Sequence, residues 1–151
     1  MDLSQLFKYR DLATSGKWHE VEKLFNNSVQ LKHAGAQIDL SNIERPKASI
    51  TEVQDFHKGG IGSDAINGGV ISMLADLALG LLGLQFFKEG MTATAQLQVN
   101  YLKPFRTNAI TAESFLTQTV GNRLFGTVEL RNHHGEVCAV AYGILAKSIS
   151  L

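Results

Sequence analysis

The spacing of apolar positions changes several times along the chain, and each change predicts a different element. In the first 28 residues the spacing is helical: Leu3, Leu6 and Phe7 share one face, as do Trp18, Val21, Leu24 and Phe25, with Gly16 between the two pieces. From residue 29 to about 40 the pattern turns extended, with Ala36, Ile38 and Leu40 on one side. Pro46 interrupts the next segment, and Ala48, Ile50 and Thr51 predict a short strand. A glycine-rich loop, His57-Lys-Gly-Gly-Ile-Gly-Ser-Asp-Ala-Ile-Asn-Gly-Gly69, then leads into the most apolar run, residues 68–87, in which Asp76 is the only charge. Gly90 stops that run.

Beyond it the period becomes two. In Thr94-Ala-Gln-Leu-Gln-Val-Asn-Tyr101, residues Ala95, Leu97, Val99 and Tyr101 face one way and Thr94, Gln96, Gln98 and Asn100 the other. Pro104 ends this strand. Residues 109–120 and 123–131 form two more around a Gly121-Asn122 turn, and 137–147 a fourth after His133-His134-Gly135. Short connections between these four strands predict an antiparallel meander. The expected architecture is α+β, with one long apolar helix covered by the sheet, because nothing else in the chain is large enough to cover it.

Composition adds limits. A chain of 151 residues, 44% hydrophobic and 19% charged, is long enough for one sizeable core. Fourteen basic residues balance fourteen acidic ones, so there is no electrostatic footprint for nucleic acid or an anionic membrane. Cys138 is the single cysteine, which excludes an internal disulfide. The N-terminus lacks a basic segment followed by an apolar one, so the cytoplasm is the expected location. Residues 68–87 are long enough to span a bilayer, but a mid-span Asp76 is costly in lipid, and a buried core helix is expected instead.

Gly60-Ile-Gly62-Ser-Asp-Ala65 matches the dinucleotide fingerprint G-x-G-x-x-G/A. That motif needs a parallel β-α-β unit with the helix starting inside it, whereas Asn67-Gly-Gly69 still lies ahead of this helix. The match is read as accidental. At ~100° per residue, Gly69, Ser72, Asp76, Gly80 and Gly83 share a narrow stripe, opposite Ile71, Leu74, Leu81 and Leu82. The small residues admit a close neighbour, either a partner helix or a thin ligand. Asp76 on that stripe reads equally as a satisfied structural carboxylate or as a base in a cleft. Asn67-Gly68-Gly69 supplies unpaired N–H groups suited to an oxyanion. Asp76 lies roughly 10–13 Å farther along the helix, too far to share one carbonyl with Gly68 inside one subunit.

Asn67-Gly-Gly-Val-Ile-Ser-Met-Leu-Ala-Asp76 resembles the H-G-G-x-x-x-x-L-A-D segment of hotdog-fold acyl-CoA thioesterases, in particular the phenylacetic-acid-degradation (PaaI-like) type. Tyr101-Leu-Lys-Pro104 is similar to the F/Y-L-x-P that ends the strand after the central helix there. The resemblance covers residues 29–147 and implies a helical extension over 1–28 and a hotdog domain over 29–151. It also implies that Asp76 acts as general base or nucleophile, that Gly68 N–H polarises the thioester carbonyl, and that Thr94 of the partner subunit holds the attacking water. Asn67 stands where the family usually has His, and Gly59 falls near a carbonyl-binding polar position whose role Asn67 would take.

His57 could contact substrate, though a solvated loop histidine is the expected state. Gly69, Met73 and Phe87 border the expected acyl cleft, and Lys103, Arg106 and Arg123 are candidates for coenzyme A phosphates, each otherwise an ordinary surface charge. His133-His134 reads as turn chemistry, so no metal is expected. The resulting expectation is an acyl-CoA thioesterase, a dimer or dimer of dimers, without metal or redox cofactor. The alternatives are a non-catalytic acyl-CoA sensor or carrier, and a hotdog hydratase; a hydratase pairs its carboxylate with a histidine, and this chain has none on the helix or adjoining strand.

Overall fold

The structure, a computed structural model, describes residues 3–148. Three short helices open the chain: α1 (Leu3–Thr14), α2 (Trp18–Asn26) and α3 (Val29–Ala34). Two short strands follow, β1 (Gln37–Asp39) and β2 (Lys47–Ile50), then the helix α4 (Gly68–Leu82), continued by a 3₁₀ turn over Gly83–Phe86. Four long strands complete the chain: β3 (Thr92–Tyr101), β4 (Ile110–Val120), β5 (Arg123–Asn132) and β6 (Val137–Lys147).

The extended reading of residues 29–40 holds only for its second half. Ser28 caps α3 by accepting the Leu31 N–H, and Gly35 ends it at φ 62°. Local capping chemistry at both ends thus closes a helix that six residues of weak periodicity did not announce.

The six strands form one antiparallel sheet in the order β1-β2-β4-β5-β6-β3. Only β4-β5-β6 is a meander. The expected pairing of β3 with β4 is replaced by β3 with β6, at the opposite edge from β1. The β3–β4 connection makes this possible. Leu102 and Lys103 both donate to Cys138 O, and Phe105, 1% exposed, is buried in the core while its carbonyl accepts the Ile66 N–H. The segment therefore crosses the end of the sheet instead of turning tightly.

The α4 helix lies across the concave face. Ile71, Leu74, Leu81 and Leu82 are buried there as the stripe analysis requires, together with Ala75, Ala78 and Leu79. Gly126 and Gly143 bring β5 and β6 close beneath Leu79; a Cβ on Gly143 would lie 2.2 Å from Leu79 Cδ2. Buried Ser114 on β4 fastens the helix by donating its hydroxyl to Ala78 O (2.6 Å).

The helix is not enclosed, contrary to expectation. Residues Gly68–Phe86 are long and apolar enough to cross a membrane, yet only half of that segment is buried inside the chain. The sheet covers one side, and Gly69, Met73 and Asp76 remain exposed on the other. Of the N-terminal helices, α1 packs on the Gly83–Phe86 turn and α2 on β1.

Candidate functional site

The start of α4 is built by the loop before it. Lys58 pairs with Ile66 across its base, Gly59 N–H donates to Ala65 O (2.8 Å), and Asn67 N–H donates to His57 O (2.8 Å). Gly62 turns at φ 75°, the α4 helix begins six residues later, and every strand pairing is antiparallel, so no dinucleotide turn exists. Asn67 is the N-cap: its extended backbone starts the helix and its Oδ1 accepts the Gly69 N–H (2.7 Å). This consumes the Gly69 donor and leaves Gly68 N–H, exposed, without an acceptor among the described residues. An unspent N–H at the positive end of a helix is suited to bind a partial negative charge.

Tyr101, at the end of β3, sets the pose of Gly68. Its hydroxyl donates to Gly68 O (3.0 Å) and lies 2.7 Å from Ser72 Oγ. Tyr101 stands in a sequence motif and Ser72 in the helix stripe, and neither pattern suggests that the two meet.

Asp76 is exposed, which corrects its placement on a buried helix. It lines an open cleft of about 320 Å³ with Thr94, Gly80, Leu81, Phe87 and Phe25. Thr94 thus shares a cleft with the Asp76 of its own chain, although strict alternation sends it to the other face of the sheet. The reason is a β-bulge at Ala95: Thr94 pairs with Leu145 and Gln96 with Ile144, so one residue of β3 has no partner on β6. Leu145 is buried against the helix, and Thr94 faces the same way. Met73 lies on the open helix face, 37% exposed, and is absent from this cleft.

Within the stripe the glycines differ. A Cβ on Gly80 would meet nothing within 4 Å, whereas one on Gly83 would lie 1.8 Å from Thr92 Oγ1. Close approach is real at Gly83; Gly80 opens onto the cleft.

His57 is not a solvated loop residue. It is 2% exposed, accepts the Gln54 N–H at Nδ1 (2.9 Å) and bonds Ala34 O through Nε2 (2.8 Å). With a donor at one ring nitrogen and a carbonyl at the other, the fitting form is the neutral Nε2–H tautomer. His57 therefore ties the root of the glycine loop to the end of α3, where Gly35 clears space for its ring.

The three candidate cations do not converge. Lys103 pairs with Glu136, and Arg106 with Asp64 (2.9 Å), both on the side of the molecule where β3 ends. Those partnerships hold the carboxyls of Glu136 and Asp64 below the ordinary range and the Lys103 ammonium above it. Arg123 begins β5, seven residues from Leu130, the β5 residue in register through Ala139 with Tyr101; that separation is about 23 Å. In the hairpin turn, His133 Nδ1 lies 2.5 Å from Thr107 Oγ1 and its ring contacts His134.

The thioesterase superfamily profile matches residues 64–139, from the glycine loop through the start of β6. This chain belongs to the thioesterase superfamily. Solved structures share its hotdog fold. A thioesterase from Haemophilus influenzae superposes with a TM-score of 0.74 at 22% identity, over 85% of this chain and 88% of that one. The PaaI protein from the phenylacetic acid degradation operon of E. coli gives 0.73 at 16%, over 89% and 96%. A Streptococcus mutans protein solved with acetyl CoA gives 0.60 at 21%, over 70% and 82%. Identities this low establish the fold alone. Comparison with curated protein sequences finds no match.

Proposed function

We propose that this protein hydrolyses acyl-CoA thioesters to a free acid and coenzyme A. The observation that carries the reading is the pairing of an unspent Gly68 N–H at the start of α4 with an exposed Asp76 that shares an apolar cleft with Thr94. Membership of the thioesterase superfamily, and the acetyl CoA held by one structural neighbour, support the same chemistry.

In the proposed reaction the thioester carbonyl oxygen accepts the Gly68 N–H, which stabilises the negative charge that develops there. Asp76 takes a proton from water positioned by Thr94, hydroxide adds to the carbonyl carbon, and the C–S bond breaks with protonation of the leaving thiolate. Direct attack by the carboxylate is the other route open to the same side chain. Neither route needs a metal or redox cofactor. Because Gly68 and Asp76 are eight residues apart on one helix, about 12 Å, one chain cannot place both at one carbonyl.

The reading therefore requires a homodimer, alone or within a tetramer, with Gly68 of one copy facing Asp76 and Thr94 of another. Two features favour it. The ten-residue strand β3 pairs only with β6 among the described residues and leaves its other edge open, and the helix face carrying Met73 and Asp76 is exposed. In this reading Lys103 and Arg106, in the segment that follows Tyr101, exchange their pairings with Glu136 and Asp64 for the nucleotide phosphates.

The test is release of free thiol from a panel of acyl-CoA thioesters by the parent and by Asp76→Asn. Turnover should fall at least ~100-fold, the lower range for loss of a general base. Stability should hold within ~0.5 kcal/mol, because the side chain is exposed. A folded, fully active Asp76→Asn protein removes Asp76 from the mechanism. A parent that binds acyl-CoA without releasing thiol is a sensor or carrier, not an enzyme.

A further inference from the structure

The cleft beside Asp76 has a wall that the core fold does not supply. Asp76, Leu77, Gly80, Leu81 and Leu84 all line it, so it runs from the middle of α4 into the 3₁₀ turn, about 12 Å. One side is formed by Thr92 and Thr94 of β3. The other includes Phe25 of α2, on the helical segment that precedes the sheet. Phe25 is half-buried and held from behind by Tyr9 of α1, with ring centroids 4.9 Å apart and planes at 59°. That tilted contact fixes the ring. Away from Asp76 the lining is Leu81, Leu84, Phe87 and Phe25, with no charged side chain.

We propose that Phe25 determines acyl-group size: it closes the side of the acyl cleft and restricts the enzyme to compact apolar acyl groups. The inference rests on the thioesterase reading above. What it adds is an aromatic side chain contributed by α2 and braced by α1, outside the residues assigned to the chemistry. Phe25 bounds a cleft of about 320 Å³, so the bulk of its ring sets how much of an apolar acyl group the cleft takes. An apolar pocket discriminates by fit, at about 10–200-fold for each methylene gained or lost.

The experiment compares kcat/KM for hexanoyl-, benzoyl- and decanoyl-CoA in the parent, Phe25→Ala, Phe25→Leu and Phe25→Trp, read by thiol release. Opening the wall with Phe25→Ala should raise the decanoyl-to-hexanoyl ratio by ~10-fold or more. Phe25→Leu should give a smaller rise, and Phe25→Trp should lower the ratio. If Phe25→Ala fails to fold, the leucine and tryptophan variants carry the same comparison in opposite directions. Folded variants that keep the parent's ratio overturn the role of Phe25 and leave the hydrolase reading standing. A parent inactive on all three thioesters overturns both.

Discussion

A single methyl group, added at Gly80 within α4 or at Gly83 just after it, should have opposite effects. Gly83 adopts φ −64° and ψ −23°, a helical backbone that alanine accepts without strain. Its Cβ would nevertheless sit 1.8 Å from Thr92 Oγ1 and 2.8 Å from Thr92 Cβ. Rotating the threonine relieves the first contact and cannot relieve the second, because Cβ does not move with χ1. The start of β3 must shift, and overpacking of this kind costs about 1–3 kcal/mol. The better helix propensity of alanine returns at most ~1 kcal/mol. With the overpacking at mid-range, about 2 kcal/mol, and the full ~1 kcal/mol set against it, Gly83→Ala is destabilised by about 1 kcal/mol, or a Tm lower by roughly 2–4 °C for a chain of this length. At Gly80 no atom lies within 4 Å of the added carbon, so Gly80→Ala should gain about 0.5–1 kcal/mol. Thermal unfolding of the two variants beside the parent measures both. A Gly83→Ala protein as stable as the parent would refute the packing of Thr92 on α4. A destabilised Gly80→Ala protein would mean that the partner copy of the proposed dimer packs directly on Gly80 and leaves no cleft there.

Other substitutions test the supports of the site. His57→Ala removes two hydrogen bonds and a buried ring, and should cost about 2–4 kcal/mol in urea unfolding; a cost under ~1 kcal/mol would mean that the loop root is held elsewhere. Tyr101→Phe deletes the bond to Gly68 O at an exposed position, so Tm should move by no more than ~4 °C while kcat falls; unchanged kcat would free Gly68 from any dependence on Tyr101. Burial pushes the Cys138 thiol up, so it should react with a disulfide reagent far more slowly in the native protein than after denaturation, leaving thiol-release assays free of its background. Fast native labelling would place Cys138 at the surface.

Where each position reports on one local rule, the sequence is a good guide. The apolar side of α4 is legible because Ile71, Leu74, Leu81 and Leu82 need only a 3.6-residue period, and all four are buried. The hairpins of β4, β5 and β6 are legible because Gly121 and Gly135 supply the positive φ that their turns need. The position of β3 was not, because strand pairing is decided by a connection and not by the strand. Phe105 carries that decision: it is one apolar residue between Pro104 and Arg106 in a stretch that reads as a loop, yet its burial draws the connection across the end of the sheet. His57 fails for a related reason. A histidine among glycines reads as solvated, and only the approach of Ala34 O and Gln54 N–H from segments of unrelated pattern makes its burial affordable.

The site itself shows how one inserted residue can escape a period-two reading. Thr92-Ala-Thr-Ala-Gln-Leu-Gln-Val99 alternates without a visible break, because threonine, alanine and glutamine carry little hydrophobic contrast. Residues 93–96 are all exposed in the chain, so no core selects which of them face inward, and a shift of phase there costs no burial. The bulge at Ala95 uses that freedom. Leu97 and Val99 keep their places against the helix while Thr92 and Thr94 turn to the same side. A strand continuing in phase would present Ala93 and Ala95 to the helix and send Thr94 to the opposite face of the sheet, away from Asp76. The extra residue therefore lets one strand pack its second half as core and offer hydroxyls from its first half to the cleft, which is what the hydrolytic site proposed beside Asp76 requires.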